Sequence, residues 1–136
     1  MIREIVKDTF FLQQSSQEAS KEDMTIGQDL LDTVQANKDR CVGLAANMIG
    51  QQKRIIVVSL GFVDLLMFNP VIVEQSGPYK TEESCLSLEG SRPTKRYQTI
   101  KVTYLDQNWR RKSVVLKDFP AQICQHEIDH CDGIVI

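Results

Sequence analysis

Hydrophobic residues recur along this chain at two different periods. Between residues 20 and 37, Ile26, Leu30, Leu31 and Val34 fall on one face of a 3.6-residue repeat. Ser20 precedes them, with Asp23 three residues later, a capping signal. The pattern predicts a helix from Lys21 to about Asn37. "CVGLAANMIG" (41–50) is rich in small residues and reads as a loop. "RIIVVSL" (54–60) is a continuous branched run, as a buried strand requires. "LMFNPVIV" (66–73) reads as two short strand pieces broken at Pro70. Ile100, Val102 and Tyr104 alternate in "TIKVTYLD", a half-buried strand, and "DQNW" turns it back into "RRKSVVLKD". Pro120 then suits a first helical turn and Gly133 a helix end, which predicts a second helix from Phe119 to about Cys131. Helix, grouped strands, helix is the order of an α+β fold.

Length and composition limit the possibilities. A chain of 136 residues without internal repeat or long linker is expected to form a single compact domain over 1–136. The net charge of -2 gives no reason to expect DNA as a partner. No apolar run approaches the roughly 20 residues that cross a membrane. "MIREIVKDTF" is charged from Arg3 onward and is not a signal peptide. Cys41, Cys85, Cys124 and Cys131 are therefore expected to be reduced and the protein cytoplasmic.

The second predicted helix contains "QHEIDH", with both histidines of the chain. Four residues apart on a helix, His126 and His130 aim two imidazoles at one point. Glu127 flanks that face and reaches a water held there: two metal ligands and a general base. A catalytic site of this kind takes three protein ligands and one open position. The third is a carboxylate or a thiolate. Cys124 and Cys131 project from other faces of the helix, as small core residues do. Cys41 and Cys85 both stay open, because neither composition nor spacing chooses between them.

Three segments together resemble the peptide deformylase family: "CVGLAANM" (41–48), "ESCLS" (83–87) and "QHEIDH" (125–130). Their order and spacing match the family's Gly-x-Gly-x-Ala-Ala-x-Gln, Glu-Gly-Cys-Leu-Ser and Gln-His-Glu-x-Asp-His. The resemblance implies antiparallel or mixed β-sheets packed around the HExxH helix, and a hydrolase that removes the formyl group from N-formyl-methionyl peptides. It implies Cys85 as the third ligand beside His126 and His130, and Glu127 as the base. It implies the backbone N–H of Leu86 as an oxyanion donor, and Val42, Gly43, Met48 and Ile123 around the substrate. The cofactor it implies is one divalent ion, Fe²⁺ in cells, with Zn²⁺, Ni²⁺ or Co²⁺ able to substitute. The ribosome joins the formylated peptide as a candidate partner.

The chain departs from the family at four places. Met48 stands where the family has an oxyanion-binding glutamine, and a thioether donates no hydrogen bond. Loss of such a donor lowers rates about 10²–10³-fold, so weakened catalysis is expected. Ser84 and Cys41 replace glycines; positive φ at Ser84 would strain the backbone. "DQNW" lacks the family's turn glycine. Beside the deformylase stand three alternatives: a non-catalytic paralogue that keeps the metal and binds formylated peptides or another partner, a metallohydrolase of another acyl amide, and a zincin protease. The last leaves "ESCLS" without a role.

Overall fold

A computed structural model describes residues 1–85 and 87–135, with the backbone alone at Leu88. A short helix α1 (Thr9–Leu12) opens it, capped by the Asp8 carboxylate. The Ser20/Asp23 capping box starts a 3₁₀ turn, Lys21–Asp23, that runs into α2 (Met24–Ala36). Leu30, Leu31 and Val34 are the buried face of α2, as their spacing requires. Gly27 lets that face close on the sheet: a Cβ there would lie 2.6 Å from Phe68 Cζ.

Five strands form one antiparallel sheet in the order β1-β2-β3-β4-β5: β1 (Gly43–Ala45), β2 (Ile55–Ser59), β3 (Asp64–Cys85), β4 (Leu88–Leu105) and β5 (Arg111–Lys117). The segment expected as a loop at 41–50 is instead the edge strand β1 and a 3₁₀ turn, Ala46–Ile49. Small side chains suit it because residues 43–49 are buried, not because they are exposed. "LMFNPVIV" is one strand, not two. Asn69, at φ 52, and Pro70 occupy a register shift between Phe68 and Val71, so the missing Pro70 N–H costs no ladder bond. Asn69 also ties the shift to Ala19, accepting from its N–H at 2.7 Å and donating to its carbonyl at 3.0 Å.

β3 and β4 continue well past the apolar pieces as a long two-stranded ribbon that reaches Cys85. Its outer part is largely exposed, so it needs no apolar alternation, which is why periodicity did not reveal it. In the β4–β5 turn, Trp109 takes the left-handed position at φ 60, where a glycine was expected. Asp106 holds that turn by accepting from Asn108 N–H at 2.9 Å and Arg110 N–H at 3.0 Å, and the Trp109 ring packs edge-on against Phe68. Ser84 has no positive φ and carries no strain.

The last helix, α3 (Asp118–Cys131), is buried nearly all round, with Ala121, Ile123, Cys124, Ile128 and Cys131 in the core. Cys124 and Cys131 are therefore packing residues, as expected. Gln125, His126, Glu127 and His130 are buried beside them. Polar groups at that depth are costly without partners. Gln125 is satisfied structurally: it accepts from Tyr97 N–H and donates to Tyr97 O, both at 2.8 Å, which pins α3 to β4.

Candidate metal centre and active site

The helical spacing of four brings His126 Nε2 and His130 Nε2 to 3.1 Å. The ribbon end delivers Cys85 Sγ to 3.4 Å from His130 Nε2, and all three ligand atoms lie within 4.8 Å of one another. Tetrahedral bonds of about 2.0–2.1 Å to nitrogen and about 2.3 Å to sulfur imply separations of about 3.3 Å and about 3.5 Å. The donor set and its spacing therefore fit one divalent ion. Ser87 N–H donates to Cys85 Sγ at 3.4 Å. Cys41 makes another contact: its thiol donates to Gly43 O at 3.0 Å, and burial pushes it up to about 12.

Behind the ligands stands a buried ion-pair chain. Glu83 Oε1 is 2.7 Å from His126 Nδ1. Arg96 grips the same carboxylate with two donors, at 2.8 and 2.7 Å, and reaches Asp129 at 2.6 Å. Burial alone would raise the Glu83 pKa, but hydrogen bonds from His126 and Arg96 hold it down to about 2. The ionised carboxylate fixes the His126 tautomer, with Nδ1 donating and Nε2 facing Cys85 and His130. Burial pushes the His130 pKa down to about 3, toward the neutral imidazole that a ligand must be. Asn47 Nδ2 donates to His130 O at 2.8 Å and ties the 3₁₀ turn to the metal helix. The sequence alone gave Glu83, Arg96 and Asn47 no role. Glu83 and Asp129 stand inside the quoted motifs, but the partner that links them, Arg96, comes from a different strand.

Glu127 is 4% exposed, and its Oε1 has no hydrogen-bond partner among the described residues. Burial raises the pKa of its carboxyl to about 7. It borders a cavity of about 270 Å³ shared with Cys85 and His126. Val42, Gly43, Met48 and Ile123 all line this cavity, and Arg40, Phe119 and Gln122 join them. Gly43 allows the close packing: a Cβ would stand 2.7 Å from Ile123 Cγ2, 2.9 Å from Val57 O and 3.0 Å from Glu127 Oε2. Leu86 lies outside the described residues, so its N–H is not placed.

Two histidines and a buried glutamate on α3, with Cys85 of β3 set against them, form a candidate site of the mononuclear metal-dependent hydrolase class. The comparisons make the class specific. The family model described as polypeptide deformylase matches residues 2–136, and the chain belongs to that family. A peptide deformylase of Clostridium beijerinckii is 58% identical over 136 residues, covering all of both chains. Peptide deformylase 3 of Shewanella oneidensis is 40% identical over 111 residues, 79% of this chain and 68% of that one. Among solved structures, a class I type b peptide deformylase of Acinetobacter baumannii bound to Met-Ala-Ser superposes with a TM-score of 0.89 at 26% identity, covering 99% of this chain and 97% of that one. The enzyme of Thermus thermophilus gives a TM-score of 0.86 at 30% identity, covering 99% and 83%.

Proposed function

We propose that this chain is a peptide deformylase that hydrolyses the formyl amide of N-formyl-methionyl peptides. The observation that carries the reading is the convergence of Cys85, His126 and His130 beside the unpartnered Glu127 carboxylate. Cys85, His126 and His130 would hold the divalent ion, which supplies Lewis acidity and acidifies water. Mixed thiolate and imidazole ligation suits Fe²⁺, our choice for the cell, and also Zn²⁺, Ni²⁺ and Co²⁺. Glu127 takes the water proton and delivers it to the leaving amine. The Leu86 backbone N–H donates to the developing oxyanion. Val42, Gly43 and Ile123 enclose the first side chain of the peptide, with Phe119 and Gln122 on the same wall. The neighbour that binds Met-Ala-Ser supports a peptide with methionine first. Formylated N-termini emerge at the ribosome, so the enzyme works there, in the cytoplasm. Among the described residues no helix is long and apolar enough to cross a membrane.

Met48 modifies the reading. Its side chain is 1% exposed and lines the cavity; by the resemblance it stands where the family's glutamine donates, and a thioether cannot donate. We assign this enzyme a reduced turnover for that reason. The test is formate release from formyl-Met-Ala by iron-loaded protein kept under anaerobic conditions. Release that needs the metal and ceases with a chelator is expected. No release above that of the chelated protein would favour the alternative, a metal-binding paralogue that retains peptides without cleaving them.

A further inference from the structure

The net charge of -2 hides an uneven distribution. Residues 92–117 hold eight of the 16 lysines and arginines and one of the 18 acids, Asp106. Arg96 is engaged inside the protein by Glu83 and Asp129. Among the described residues the other seven form no ion pair, whereas Arg3, Lys38, Lys53 and Arg54, outside this stretch, each pair with an aspartate. The sheet sorts the unpaired charges to one side. Ile100 and Val102 of β4 and Leu116 of β5 point into the core, so the alternate positions face the other way. Lys95, Tyr97 and Lys101 lie on that outer face, with Lys95 Nζ 5.6 Å from the centre of the Tyr97 ring. The register adds Lys80, directly opposite Lys95, and Lys117, opposite Thr99. Exposed Arg110 and Arg111 continue the charge into the β4–β5 turn. Glu74, opposite Lys101, and Glu82, opposite Pro93, are acids on the same face. Like charges directly across a ladder destabilise it, so the fold alone does not explain the pairing of Lys80 with Lys95.

We infer that the outer face of β3, β4 and β5 is a docking surface for the phosphate backbone of single-stranded RNA. Charge complementarity carries the inference: unpaired cations on a protein of net negative charge select a polyanion, and each one that meets a phosphate releases a counterion. Neighbouring strands stand about 4.8 Å apart and alternate residues about 6.8 Å apart, so the lysines form a grid along which a backbone can run. Tyr97 offers one ring for a base to stack on. An anionic bilayer is the weaker occupant. Surface-bound proteins sink long apolar side chains among their cations, and the apolar residues here, Val71 and Val115, are too short to reach past lysine head groups. The choice of RNA among nucleic acids rests on the cytoplasmic reading above. The helix that carries His126, Glu127 and His130 packs on the opposite face, so docking and hydrolysis use different sides of the sheet.

The test is fluorescence anisotropy of a labelled mixed-sequence RNA of about 20 nucleotides, titrated with iron-loaded protein at salt from about 50 to 200 mM. It compares wild type with two charge-matched variants, Lys95→Gln/Lys117→Gln on the outer face and Lys7→Gln/Lys21→Gln, two exposed lysines elsewhere. Wild type should bind with a Kd of about 10⁻⁶–10⁻⁴ M, and log K should fall with log salt at a slope of about -3 to -4, as some five phosphate contacts require. The outer-face variant should bind about 10-fold or more weakly at the lowest salt, with a slope shallower by about 1.4, while the control variant matches wild type. No RNA binding by wild type, or equal weakening in both variants, overturns the inference. Binding to phosphatidylserine vesicles without binding to RNA overturns it in favour of a membrane, and equal affinity for polyglutamate overturns it in favour of an acidic protein. Formate release is read separately and should be the same in all three proteins. Its absence in all three would sink the deformylase reading and leave the RNA result standing.

Discussion

Glu83 and His126 meet at 2.7 Å inside the protein, a carboxylate on the ribbon end against the outer nitrogen of a metal-helix imidazole. The adjacent residue pair along β3, Ser84 and Cys85, then sets the thiol in front of the same imidazole. One strand end therefore supplies both the ligand and the group that aims its neighbour. Arg96, 4% exposed, balances the carboxylate from β4.

Removing the aiming group is expected to weaken the metal site without touching a ligand. In Glu83→Gln the neutral amide holds the shape but loses the charge that orients His126. Metal affinity, measured by competition with a chromophoric chelator, should fall about 10–100-fold. Arg96 is left facing only Asp129, so thermal stability should fall as well. Unchanged affinity with lowered stability would reduce Glu83 to a folding role.

Glu127→Gln tests the base. The buried amide is nearly isosteric, and no ligand is altered. Metal content by elemental analysis should stay at one ion per chain, while formate release falls by roughly 10²-fold or more. Turnover equal to wild type would assign the proton transfer to another group.

Met48→Gln restores a donor in a buried position that lines the cavity. An oxyanion forms only in the transition state, so kcat should rise more than KM changes, by up to about 10²-fold if the turn already has the right geometry. In the absence of substrate the new amide is buried with few partners, which should lower stability by about 1–3 kcal/mol. Faster turnover with a lower Tm is the expected pair. A wild type already as fast as its glutamine-bearing relatives, with no gain in the variant, would show that Met48 does not limit the rate.

Gly43→Ala asks whether the glycine in the first motif is there for space. The added Cβ meets Val57 O at 2.9 Å and Ile123 Cγ2 at 2.7 Å, and only the side chain can give way. A loss of about 1–3 kcal/mol in chemical denaturation is expected, with a larger fractional loss of activity because Glu127 Oε2 is also within 3.0 Å. A variant as stable and active as wild type would mean that β1 shifts freely.

The sequence made some of this legible and hid the rest for physical reasons. Residues 24–36 announce themselves because a helix buried on one face repeats its apolar residues at 3.6, with Ser20 marking the start, whereas 118–131, buried nearly all round, is legible from Pro120 and Gly133 at its ends. His126, His130 and Glu127 are legible because one helix carries all three, and a spacing of four fixes their common face. Cys85 was not chosen by spacing, since it stands 41 positions before His126 on a different element, and only the family resemblance singled it out. Arg96 was invisible for a related reason: a charged residue inside a polar ribbon looks solvated until the register places it against Glu83. At 41–50 the small residues suggested a loop, whereas at Gly43 close approach to α3 is what demands one.

The central claim is that Cys85, His126 and His130 bind a single divalent ion. Anomalous diffraction at the iron edge from crystals of the iron-loaded protein tests it most directly. One peak is predicted, within about 2.0–2.4 Å of Cys85 Sγ and of both Nε2 atoms. A peak elsewhere, or one with Cys85 turned away from it, would contradict the account.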